Sequence, residues 1–151
     1  MVKNQYRIGL CKMLIILLLV SCGCLNAQVT HNMLTSGSQT LSTCDAWIYD
    51  DGGPTGDYSN SVNSTLTLTP SSGGAFTILS MTYYVENSFD YIKIYAGTTT
   101  NGTLLATYQG NSAITAPLQL PAGSITIQFH SDGSVNYSGF AMHIQCVTST
   151  S

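Results

Sequence analysis

Between residues 62 and 147, apolar side chains recur at every second position. Leu66 and Leu68 alternate with Thr65, Thr67 and Thr69; Leu79, Met81, Tyr83 and Val85 share one face of 75–86. Ile92 and Ile94 flank Lys93 in 90–96, and Ile125, Ile127 and Phe129 line 124–130. Phe140, Met142, Ile144 and Cys146 do the same in 140–147. A period of two lines one face of a β-strand, and no window carries a 3.6-residue apolar period long enough for a helix. Shorter strands are expected at 103–108 and 117–121. The latter lies between Pro117 and Pro121, which have no amide hydrogen to give a ladder, so it belongs at an edge. Asp51-Gly52-Gly53-Pro54, 70–74 and 97–102 supply the turns. Short strands at regular spacing predict one all-β sandwich domain without repeats.

The N-terminus reads as an export signal. Lys3, Arg7 and Lys12 precede the apolar run 13–20 (MLIILLLV), which is too short for the roughly 20 residues of a membrane span. Cleavage after Ala27 gives ordinary secretion of 28–151. Cleavage before Cys22, in the lipobox-like Leu19-Val20-Ser21-Cys22, gives a lipidated protein tethered to the cell surface. Polar, Ser/Thr/Gly-rich residues 28–43 are expected to be a leader arm, partly ordered at best. The folded domain then runs over 44–147, with 148–151 as a tail.

Removal of the leader leaves Lys93 as the only basic residue against seven acids, a net charge of about −6. Nucleic acid is excluded as a partner, since its phosphates demand clustered Lys and Arg. The ordinary cleavage also leaves two cysteines, Cys44 and Cys146. In an exported protein such a pair is most simply a disulfide, two free thiols being the other reading. The bridge would close a long loop and add on the order of 4–5 kcal/mol in the chain-entropy model.

Three stretches carry a resemblance: 49–60 (YDDGGPTGDYSN), 84–97 (YVENSFDYIKIYAG) and 125–144 (ITIQFHSDGSVNYSGFAMHI). Together they resemble a CUB domain, the SD-x-S followed by Gly-Phe in the third being the most specific piece. The separation of only four residues between Glu86 and Asp90 is similar to bacterial short-loop variants of the module. The resemblance implies a jelly-roll β-sandwich of two antiparallel sheets and one Ca2+ ion. Its ligands fall on Glu86, Asp90 and Asp132, with carbonyls from Ser134 and Val135, and Tyr58 orienting the Glu. Calcium takes six to eight oxygens in irregular geometry, and three crowded carboxylates repel one another until a divalent ion joins them. One residual negative charge would then face a Lys or Arg of a partner.

Asp45, Asp50, Asp51 and Asp57 surround the Gly-Gly-Pro turn and are expected to be solvated, a second cation site being the alternative. Trp47 and Tyr49 are expected in the core, an aromatic platform for a sugar being the alternative. His130, Ser131 and Asp132 are consecutive, so alternation points neighbours to opposite faces and no triad forms among them. The reading is an exported, non-catalytic module that recognises a basic extracellular protein, or a glycan, through a calcium-bearing acidic edge. The alternative is a structural or adhesive surface lipoprotein in which calcium only stabilises the fold, and a remote one is a small glycosidase using two carboxylates.

Overall fold

The computed structural model describes residues 28–147, and the expected signal segment and the 148–151 tail lie outside the described residues. The described chain is all-β. In order the strands are β1 (Val29–Asn32), β2 (Ser36–Thr43), β3 (Asp45–Tyr49), β4 (Asn63–Pro70), β5 (Ala75–Tyr84), β6 (Tyr91–Ala96), β7 (Leu104–Tyr108), β8 (Asn111–Ile114), β9 (Leu118–Ala122), β10 (Ile125–His130) and β11 (Gly139–Val147). They form two sheets. One runs β1-β3-β11-β5-β8 with β9 also pairing β5; the other runs β2-β4-β10-β6-β7. The stacked inner faces make the jelly-roll-like sandwich that the alternation predicts.

Leu66 and Leu68 of β4, Ile92 and Ile94 of β6, and Ile125, Ile127 and Phe129 of β10 face inward from the second sheet. Ala46 and Ile48 of β3, Phe76, Ile78 and Met81 of β5, and Phe140, Met142 and Ile144 of β11 meet them from the first. Each large aliphatic or aromatic side chain so buried contributes roughly 1.5–3 kcal/mol. The β5 face is not continuous, however. Ser80 pairs with His143 and Ile78 with Ile144, so Leu79 is an extra residue in a β-bulge. The inward set is therefore Phe76 and Ile78 before the bulge and Met81 and Val85 after it, with Leu79 displaced from the line expected for it.

The sequence reading needs two corrections here. Residues 28–43 are not a loose arm: β1 and β2 are edge strands, one in each sheet. Their Ser/Thr-rich composition is that of strands whose outer face meets water, while Met33, between them, is buried. Nor are the sheets purely antiparallel. β1 runs parallel to β3 and β2 parallel to β4. Parallel neighbours need a long crossover. Here the crossover is a strand of the opposite sheet, because the chain alternates between sheets through β1, β2, β3 and β4. β8, absent from the sequence reading, is a four-residue polar strand held by β5. β9, between its prolines, pairs β5 alone, as an edge strand does.

Cys44 and Cys146 are disulfide-bonded, closing a separation of 102 residues. The bridge ties the entry to β3 to the end of β11, and the Cys146 amide also donates to the Cys44 carbonyl at 2.9 Å.

Candidate metal centre

At one end of the sandwich three loops converge: the turn after β3, the β5–β6 connection and the β10–β11 connection. The second leaves β5 through buried Val85, and its tight turn is closed by the Asp90 amide donating to the Glu86 carbonyl at 3.1 Å. Ser88 sits there at φ 74°, in the left-handed region that lets the five-residue turn 86–90 reverse direction. The third loop is anchored by Ser131. Its buried hydroxyl donates to the Ser59 carbonyl at 2.7 Å and accepts from the Val62 amide at 2.9 Å. The loop is pinned again where the Asn136 side-chain amide donates to the Tyr58 carbonyl at 2.7 Å.

These anchors bring one carboxylate oxygen each from Glu86, Asp90 and Asp132 within 4.8 Å of one another. Asp90 is fully buried. Its Oδ2 accepts from the Tyr58 hydroxyl at 2.5 Å and its Oδ1 from the Asp132 amide at 2.8 Å. Asp132 is oriented in turn by the Ser134 amide, which donates to its Oδ1 at 2.9 Å. Glu86 Oε2 is buried and has no hydrogen-bond partner. Burial, followed by the charges of Asp132 and Asp90, pushes the Glu86 carboxyl above its ordinary range.

Among the described residues no cation answers these charges. Lys93 is the only Lys or Arg among the described residues, and its ammonium lies over the Tyr91 ring at 4.1 Å. The sole ion pair among the described residues joins His143 to Asp45 elsewhere on the molecule. Three carboxylates around an orphaned acceptor, without a basic neighbour, are a donor set that fits a hard divalent ion taking oxygen ligands.

The Val135 carbonyl lies 3.3 Å from the Tyr58 hydroxyl, whose single proton has a nearer acceptor in Asp90. That carbonyl is therefore left with lone pairs to offer. Val135 is 47% exposed and sits at φ 62°, an unusual conformation for a β-branched residue, held by the loop around it. Ser134 is placed beside Asp132 through its amide. Tyr58 differs from the expectation: besides holding the Asp90 carboxylate it accepts from the Glu86 amide at 3.1 Å, so it fixes the backbone of Glu86 rather than its carboxylate. Burial and the Asp90 bond push the Tyr58 phenol well above its usual range, so it stays a donor.

The second acidic patch does not exist as a patch. Asp50 is fully buried; its Oδ2 accepts from the Phe140 amide at 2.6 Å and its Oδ1 from the Gly52 amide at 2.8 Å. Burial pushes its carboxyl up to about 6, against those two bonds. Gly139 makes this possible, since any Cβ there would collide with the Asp50 carboxylate. Asp51 accepts from the Ser59 amide at 3.1 Å, and Asp57 is exposed. Asp45 accepts from His143 at 2.9 Å, the main cause of its lowered pKa. Trp47 is not in the core either. Ala46 and Ile48 take the inward positions of β3, leaving Trp47 on the outer face, stacked on His143 at 4.7 Å and on Tyr49 at 6.1 Å.

His130 and Ser131 diverge as alternation requires. The His130 ring stacks on Tyr91 at 4.9 Å, whereas Ser131 is committed to the loop anchors. Glu86 and Asp132 crowd one point together with Asp90.

Comparison with known proteins agrees with this architecture. The solved MASP-1 CUB2 domain bound to Ca2+ superposes with a TM-score of 0.59 at 22% identity, over 72% of this chain and 97% of that one. The CUB1-EGF-CUB2 domains of rat MASP-1 give 0.56 at 18% identity over 74% of this chain and 43% of theirs. Two proteins named Inactive serine protease PAMR1, from Pongo abelii and Homo sapiens, are each 32% identical over 76 residues, half of this chain and a tenth of theirs. The present chain thus spans a small part of those relatives. The family model for the CUB domain matches residues 39–144, more than half of the sequence, and the chain belongs to the CUB domain family.

Proposed function

We propose that this protein is an exported, non-catalytic binding module that holds one calcium ion between Glu86, Asp90 and Asp132 and presents that edge to a basic extracellular protein. The observation that carries the reading is the buried, partnerless Glu86 Oε2 beside two further carboxylates, with no ion pair to them among the described residues. A divalent ion would turn their mutual repulsion into attraction, with the Val135 and Ser134 carbonyls as further donors. Three carboxylates around one such ion leave a residual charge of about −1, suited to a Lys or Arg of the partner. A calcium-bound solved relative of the same fold supports the choice of ion. Exposed Phe89 and Val135 flank the site and offer apolar contact to the stem of such a side chain.

The experiment is calorimetric calcium titration of the mature protein with thermal melts in calcium and in chelator, repeated on Asp132→Ala. One-site binding and a raised Tm, both lost in the variant, are expected. Absent heat and identical melts would remove calcium from the reading. Retained binding of a captured partner by Asp132→Ala would instead leave the ion a purely stabilising role.

A further inference from the structure

A concavity lies on the outer face of the first sheet, with a volume of about 590 Å3. Strand register explains its shape. Across β3, β11, β5 and β8 the outward row reads Tyr49, Ala141, Thr82, Ala113. The next row reads Gly139, Tyr84, Asn111. Small side chains make the floor. Tyr49 closes the β3 end, backed by its stack with Trp47. Tyr84 borders the floor from the next row, on β5, stacked on Tyr137 at 4.0 Å.

The lining decides the class of occupant. It contains no charged side chain, and Asp50 beneath it has both oxygens committed to backbone amides. The polar groups that remain are neutral: Thr82, Asn111 and Ser138, with the tyrosine hydroxyls. An ionic ligand would find no countercharge there. An aliphatic one would strand the hydroxyls and the amide without partners. A sugar ring matches both halves, with a C–H face for the tyrosine rings and hydroxyls for the amide and hydroxyl groups. The groove crosses four adjacent strands, about 15 Å at ordinary strand spacing, and is open rather than enclosed, which suits a short chain of sugars over a single small molecule.

From this match we infer that the Tyr49–Tyr84 groove is a binding site for a neutral oligosaccharide. The site shares no residue with the Glu86–Asp90–Asp132 cluster and does not rest on the calcium reading. Trp47 is the only tryptophan in the chain and adjoins one wall, so its emission reports occupancy. The test is titration with maltotriose, cellotriose and N-acetylchitotriose, followed by Trp47 fluorescence and saturation-transfer NMR, in calcium and in chelator.

Saturable binding of at least one trisaccharide is expected in both media. Ala141→Phe, which fills the floor, and Tyr84→Ala, which removes a wall, should each weaken it at least about tenfold. Unchanged Tm and calcium titration would show that both variants fold, and Ala113→Phe repeats the floor test should Ala141→Phe fail to fold. The inference is overturned if no trisaccharide saturates, or if binding survives the floor-filling variants. Binding that is lost in chelator and in Asp132→Ala but not in Ala141→Phe would also overturn it, by moving the sugar to the acidic edge. An extended peptide that occupies the groove where all three sugars fail would do the same.

Discussion

The Tyr58 hydroxyl donates to the Asp90 carboxylate at 2.5 Å while accepting from the Glu86 amide at 3.1 Å, so one buried side chain holds both ends of a five-residue turn. A hydroxyl donating to a carboxylate makes a bond of the strong class. Tyr58→Phe keeps the edge-on packing against Phe129 but leaves Asp90 one partner short. The expected cost is about 1.5–3 kcal/mol in chemical denaturation. Calcium affinity should fall about tenfold or more, because the ring orients a ligand without being one. Unchanged affinity in titration calorimetry would show that the turn holds its shape through its backbone alone.

Glu86 should report calcium through protons. Its carboxyl is raised by burial and by its acidic neighbours. A raised folded-state value means that folding without the ion favours the neutral form relative to the unfolded chain. That contribution to stability is fully present below the unfolded-state value and is lost as pH rises through the folded one. Calcium demands the charged form, so its affinity should decline as pH falls through the raised value, with a proton released on binding. Calorimetry in buffers of different ionisation heat measures that release. Glu86→Gln should abolish it, and should raise the chelator-treated Tm at neutral pH while removing the gain from calcium.

Asp50 provides a separate pH signature. Its carboxyl rises from 3.8 to about 6 on folding. Folding therefore takes up a proton between those values, and stability from this residue diminishes as pH increases from about 4 to about 6. Asp50→Asn cannot titrate. The stability difference between wild type and variant should shift by on the order of 1–3 kcal/mol across that window, in favour of wild type at the acid end. Other carboxylates cancel in the difference, so a flat difference would show that the two backbone amides keep Asp50 ionised throughout.

Reduction of Cys44–Cys146 should lower stability by about 2–5 kcal/mol, the range for a long closed loop. Urea midpoints with and without reductant measure it. Because the bridge lies outside the metal-binding loops, calcium affinity should change far less than the midpoint.

Strands with strict alternation were legible from residues alone, since a period of two leaves few other structures. That Glu86, Asp90 and Asp132 meet near Tyr58 was legible as well, because each stands in a short recognisable stretch; that Tyr58 holds the Glu86 backbone rather than its carboxylate was not. Asp50 was not. In an Asp-Asp-Gly-Gly turn it has the local character of a solvated acid, and its partner, the Phe140 amide, is 90 residues away. Trp47 misled through its size: in a five-residue strand the facing is set by register against β11, which turns Ala46 and Ile48 inward. Residues 29–43 were opaque because edge strands rich in Ser and Thr carry almost no apolar signal. The bulge at Leu79 escaped for a related reason, since inserting a residue changes facing without changing composition.

Because β1 and β2 are consecutive yet lie in opposite sheets, the segment 29–43 acts as a clasp across the mouth of the sandwich. Each half lies along an otherwise open backbone, β1 on β3 and β2 on β4. During synthesis this segment emerges before β3 and β4 and has nothing to lie against until they exist. Its docking then shields two templates for strand addition in a single event. A chain beginning at Cys44 would retain the metal-binding loops and the disulfide, yet would present both open backbones to its neighbours. The quality that suffers first would be solubility at high concentration, ahead of any loss of ion binding.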